Sequence, residues 1–149
     1  MKRYLFLITL LTALTGRIIA QSVTVDATID SLQILIGEQA KIKLQVSLDT
    51  DKRAILPAYT DTLVRGVEIV DIAKPDTQML NDGRRSLITQ EYTVTSFDSA
   101  LYYLPPMEVL VDNKAYRSKA LALKVYSVET AQLEIEMSTK HLHLLDLNL

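Results

Sequence analysis

An all-β fold follows from three observations in the 149-residue sequence. Apolar residues recur at every second position, turn residues punctuate the chain at short intervals, and nothing before residue 128 carries a helical period. A strand turns successive side chains to opposite faces, so a period of two gives one wet face and one dry face. Antiparallel strands of that kind pair their dry faces in two layers. The expected architecture is an immunoglobulin-like β-sandwich of about seven or eight antiparallel strands. A closed barrel is the rival, disfavoured because the long connection from Asp49 to Thr62 reads as a crossover between sheets.

The elements follow in order. Ser22 to Ile29 and Leu32 to Ile36 are aliphatic runs parted by Asp30-Ser31, and Gly37-Glu38-Gln39 turns into the next strand. That strand, Ala40 to Leu48, is the clearest. Its odd positions are Lys41, Lys43, Gln45 and Ser47, and its even positions are Ala40, Ile42, Leu44, Val46 and Leu48. A helix would scatter the lysines around its circumference, whereas a strand collects them on one side. Val67 to Ile72 is entered through Gly66 and stopped by Lys74-Pro75, since proline cannot donate to a ladder. Asn81-Asp82-Gly83 marks a tight turn. Leu87 to Phe97 then sets Ile88, Tyr92 and Val94 on one side and Thr89, Glu91, Thr93 and Thr95 on the other. Leu101 to Leu104 is a short strand before Pro105-Pro106. Met107 to Val111 is another, Asp112-Asn113-Lys114 a hairpin turn, and Tyr116 to Tyr126 a last strand with Leu121, Leu123 and Val125 inward. The inward set Ile42, Leu44, Val46, Ile69, Tyr92, Val94, Val109, Leu121, Leu123 and Val125 suffices for a core without disulfides, at roughly 1.5–3 kcal/mol per buried aliphatic side chain.

The amino terminus reads as an export signal. Met1-Lys2-Arg3 gives a positive start, and Tyr4 to Gly16 runs without a charge. Such a run is short for a permanent anchor, and cleavage is expected after Ala20. The organisation is therefore a signal peptide over 1–20, a domain over 21–128 and a tail over 129–149. Removing Lys2, Arg3 and Arg17 leaves 13 cations against 18 acids, a net charge of −5. A mildly acidic exported chain has no electrostatic footprint for nucleic acid or anionic lipid.

Composition excludes much chemistry. Without Cys there is no disulfide, thiolate metal site or cysteine nucleophile, and four glycines spell neither a dinucleotide fingerprint nor a P-loop. His141-Leu142-His143 would place two imidazoles on one face of an extended tail, but Asp146 is the only acid nearby and structural zinc takes four ligands. Asp49-Thr50-Asp51 lacks the glycine and distal glutamate of a calcium loop, and reads as a solvated turn. Asp71, Asp76 and Asp82 are spaced by strand ends and turns. The domain holds no histidine for a catalytic triad, and no Gly-x-Ser-x-Gly elbow exists. The expectation is a non-enzymatic protein without cofactor or metal.

From Tyr92 onward the order of residues resembles the BatD (oxygen-tolerance, aerotolerance) family of bacterial envelope proteins, especially the shorter members of Bacteroides-type bacteria. The stretches that carry the likeness are Tyr92-Thr93-Val94-Thr95-Ser96, Ala100-Leu101-Tyr102-Tyr103-Leu104-Pro105-Pro106, Val109 to Lys114, Tyr116-Arg117-Ser118-Lys119 and Leu121 to Val125. Ile36-Gly37-Glu38-Gln39 agrees in the opening half, so the likeness covers roughly residues 22–128. Two features depart from the family pattern. Ser99-Ala100 stands where a glycine turn is usual, and residues 129–149 do not supply the transmembrane helix that members commonly carry. The tail thus reads as truncated or frame-altered. The resemblance implies a periplasmic immunoglobulin-like domain working beside membrane proteins with von Willebrand factor A domains in envelope maintenance or stress tolerance.

Tyr102 and Tyr103 face opposite ways along one strand, so one of them is expected at the surface. With Pro105 and Pro106 stiffening the strand's end, these four residues form the candidate protein interface. A carbohydrate-binding or adhesin-like module is the alternative, which solvent-exposed aromatics lining a groove would favour. The leucine-rich tail, Leu142 to Leu149, is expected to be sticky and able to add a strand to an open sheet edge.

Overall fold

The computed structural model describes residues 23–146, so the expected signal peptide lies outside the described residues. Among the described residues twelve strands precede one helix: β1 (Thr24–Ile29), β2 (Gln33–Leu35), β3 (Gln39–Asp49), β4 (Ala54–Ile55), β5 (Thr62–Val64), β6 (Val67–Ile72), β7 (Asp76–Leu80), β8 (Arg85–Thr95), β9 (Leu101–Leu104), β10 (Glu108–Val111), β11 (Lys114–Arg117), β12 (Leu121–Tyr126) and α1 (Val128–Asp146). The all-β reading of the domain holds.

The largest sheet runs β1-β3-β8-β6-β5, with β7 also paired to β8. Its spine is the antiparallel pair β3–β8, in register over eleven residue pairs from Gln39↔Thr95 to Asp49↔Arg85. The alternation of β3 is realised position by position, with Ala40, Ile42, Leu44, Val46 and Leu48 buried and Lys41 and Lys43 exposed. The pair is tied at both ends. Arg85 bridges Asp49 at 3.2 Å and reaches the Ser47 hydroxyl at 2.9 Å, while the Thr95 hydroxyl donates to the Glu38 carbonyl at 2.7 Å.

Two three-stranded sheets, β11-β10-β4 and β2-β12-β9, complete the domain. The register of β9 on β12 continues that of β10 on β11. Leu104 faces Leu121 and Glu108 faces Arg117, and the same number of residues is skipped on each side. Pro105 and Pro106 fill one gap and cannot donate to the ladder. Across from them Ser118 breaks the partner strand, its hydroxyl accepting the Met107 N–H at 2.9 Å. This corrects the expectation of one unbroken strand from Tyr116 to Tyr126. The far end closes on Asp112 and Asn113 at φ of 50° and 64°, a two-residue turn that fits the strand twist.

Other expectations are corrected as well. The strands number twelve rather than about eight, and one pair, β2–β12, is parallel. β7 was missed because its five side chains are all exposed and leave no apolar period. The Asp49 to Thr62 connection does carry the chain between sheets, through β4, which pairs with β10. The tail is not extended: α1 is a 19-residue helix. The Thr130 N–H donates to the Ser127 hydroxyl at 3.3 Å, Ser127 caps the helix, and Glu129 suits its first turn. Ala131, Gln132, Leu133, Glu134, Glu136, Met137 and Lys140 are strong helix formers without an intervening Gly or Pro.

One core unites all three sheets, with Ile42, Leu44, Val46, Tyr92 and Val94 from the first, Val109 and Val111 from the second, and Ile34, Leu104, Leu123 and Val125 from the third. Ile69 and Leu121, expected inward, lie half-buried against it. Tyr92 is fully buried, its ring edge-on to Tyr59 at 5.7 Å and its hydroxyl donating to the Pro57 carbonyl at 3.2 Å. Burial, with Tyr59 beside it, pushes the Tyr92 phenol pKa well above its ordinary 10.0.

Leu44→Asp should abolish folding, because an unpaired carboxylate there costs more than the roughly 2–5 kcal/mol of a core Leu→Ala. Lys43→Asp, on the wet face, should cost under about 1 kcal/mol. Thermal melting of the two variants checks the assignment of faces; coincident curves would reverse it.

Candidate interaction surface

Strand β9 sits at one edge of the sheet β2-β12-β9. Tyr102 and Leu104 point inward, and Leu101 and Tyr103 point out, 72% and 66% exposed. Alternation demands this split, and Leu104 decides its direction, because it is buried opposite Leu121.

The two tyrosines therefore have different roles. Tyr102 is half-buried and crosses to the turn between β5 and β6, where a Cβ on Gly66 would lie 2.7 Å from its ring. Gly66 sits at φ +88°, so the turn needs a residue without a side chain for conformation and for space alike. The Tyr102 hydroxyl donates to the Asp98 carbonyl at 3.2 Å and accepts from the buried Ser96 hydroxyl at 3.1 Å. Its polar capacity is spent inside the domain. Of the expected interface residues, Tyr102 is a latch between strands, while Tyr103, Pro105 and Pro106 stand in solvent.

Around Tyr103 the outer face of this sheet is half bare and half covered. Tyr103 stands opposite Ala122, and Leu101 opposite Lys124. The Lys124 ammonium lies 4.2 Å over the Tyr126 ring and 3.8 Å from the Glu134 carboxylate of α1. The neighbouring Tyr126 side chain is the largest influence raising the Lys124 pKa. Beyond Tyr126, helix α1 leans over β2. A groove of about 360 Å³ remains between them, its lining including Leu35, Tyr126, Ala131 and Ile135 together with the acids Glu38 and Glu134. Val128, Leu133, Ile135, Met137 and Leu142 of the helix are exposed. No helix among the described residues is long and apolar enough to cross a membrane.

The remaining candidates do not assemble into a site. His141 and His143 are two apart on a helix, about 200° around its axis, so the shared face expected of an extended tail is lost. Asp49 pairs with Arg85 and Lys52, and the Thr50 hydroxyl donates to the Gly83 carbonyl at 2.7 Å, so Asp49-Thr50-Asp51 ties the end of β3 to the tip of the β7–β8 hairpin. Among the described residues no three His, Cys, Asp or Glu side chains gather where they could hold a metal ion.

Tyr102→Phe should lower stability by about 1 kcal/mol through its lost hydrogen bonds, whereas Tyr103→Ala should stay within about 0.5 kcal/mol. Urea titration of both variants checks which tyrosine is structural. Comparison with protein-family models finds no match for this chain, and comparison with curated proteins finds none either.

Proposed function

We propose that this chain is an exported, non-enzymatic protein-interaction module of BatD type, working in the periplasm or cell envelope in envelope maintenance or oxygen tolerance. In this reading the strands stack as an immunoglobulin-like sandwich. The β1-β3-β8-β6-β5 sheet forms one layer, and the two three-stranded sheets, continuous in register across Pro105-Pro106, form the other. Two details support that architecture. A single core draws on all three sheets, and the Tyr102 hydroxyl bonds a carbonyl four residues upstream in the manner of a tyrosine corner.

The observation that carries the functional reading is the bare outer face of β9. Leu101 and Tyr103 project from an edge strand whose end is stiffened by two exposed prolines. A rigid amphipathic aromatic beside an aliphatic side chain is the composition of a protein contact. The expected partners are membrane proteins with von Willebrand factor A domains, as the family resemblance implies. A glycan-binding module would need rings lining its groove. Among the described residues Tyr126 is the one aromatic lining the groove beside α1, and the Lys124 ammonium covers its face.

Affinity capture from cell envelopes with the full chain should recover von Willebrand factor A proteins. Recovery should fall at least tenfold for Leu101→Asp combined with Tyr103→Asp. Retention on immobilised glycans without those proteins would replace this reading with the carbohydrate-binding one.

A further inference from the structure

We propose that two copies of this chain join edge to edge along β9, in a closed two-fold dimer centred on Tyr102. The argument starts from hydrogen-bond parity. The Val125 N–H donates to the Ala100 carbonyl at 2.8 Å, and Leu101 is opposite Lys124. In an antiparallel ladder the bonded pairs alternate, so Ala100, Tyr102 and Leu104 direct their backbone groups at β12. Leu101 and Tyr103 direct their N–H and C=O groups the other way, and among the described residues no strand pairs with that side of β9.

This edge is complementary to itself. Rotation about a two-fold axis through Tyr102 sets Leu101 of one copy opposite Tyr103 of the other. Every N–H of these two residues then meets a C=O, and every C=O an N–H. On the outer face the same rotation makes two leucine–tyrosine cross-strand contacts, a favourable pairing of aliphatic and aromatic side chains. The two residues that offer unpaired backbone groups are also the two whose side chains are exposed. Pro105 and Pro106 limit the pairing to this short stretch, and an isologous contact closes on itself without propagating into fibres.

Three of the four outward backbone groups at the other edge of the same sheet, those of Gln33 and Leu35, are already occupied. The Ser31 hydroxyl donates to the Gln33 carbonyl at 2.6 Å, the Leu35 N–H donates to the Glu38 carboxylate at 2.8 Å, and the Glu38 N–H donates to the Leu35 carbonyl at 3.0 Å. Side chains and a tight turn thus blunt β2, while β9 stays open. Pairing would merge the outer faces of two copies into one sheet ordered β2-β12-β9-β9-β12-β2, doubling the surface offered to a partner. The dimer goes beyond the partner reading and does not depend on it.

Sedimentation equilibrium tests this on the chain expressed in full and purified as its host processes it, between roughly 10 μM and 1 mM. The mass should rise toward twice the monomer. Leu101→Lys with Tyr103→Lys sets cation against cation across the two-fold axis and should weaken association at least tenfold. Leu101→Glu with Tyr103→Lys sets opposite charges there and should restore it. A native chain that stays monomeric throughout overturns the proposal. So does a double-lysine variant that still dimerises, which would assign association to another surface such as α1, or a charge swap that fails to rescue. Failed envelope capture alongside an intact dimer would remove the partner reading and leave this one standing.

Discussion

The β3–β8 ladder is the constraint on which the rest of the domain depends. Eleven residue pairs in unbroken register present one dry face, and a slip of one residue would turn Leu44 and Val46 to water and the lysines to the core. β1 lies along one side of this pair, and β6 and β7 follow each other along the far side of β8. Ion pairs and capped carbonyls at the two ends hold the register, but the energy lies in the buried face between them.

The second half of the chain answers a different demand. In the long hairpin from Leu101 to Tyr126 the pairing breaks off at one level on both arms. Pro105-Pro106 interrupt one arm and Ser118 the other, so neither leaves a donor stranded. Tyr102 then fastens this hairpin to the first sheet at Gly66, which is why the inward tyrosine contributes to the fold and only its neighbour reaches the surface.

The sequence made the spine legible because strict alternation leaves little room for another reading, and Asn81-Asp82-Gly83 and Asp112-Asn113 announced their turns through residues that tolerate positive φ. β7 stayed hidden because a strand wet on both faces writes no apolar pattern. The parallel pairing of β2 with β12 joins residues about ninety positions apart, which no local signal records. The helix was legible in principle. Ser127 ahead of a run of strong helix formers is an N-cap signal, overlaid by the leucine-rich composition of the tail. Alternation also showed that one tyrosine of the Tyr102-Tyr103 pair must be exposed. Only the burial of Leu104 against Leu121 shows which one.

The domain separates its parts in space: a dry spine that carries stability, a hairpin latched to it by Tyr102, and a short open edge at β9. Native-state hydrogen exchange tests that division most directly. The amides of Ile42, Leu44, Tyr92 and Val94 should exchange last, through global unfolding alone, while those of α1 exchange orders of magnitude sooner. Amides of α1 that outlast those of β3 and β8 would contradict the account.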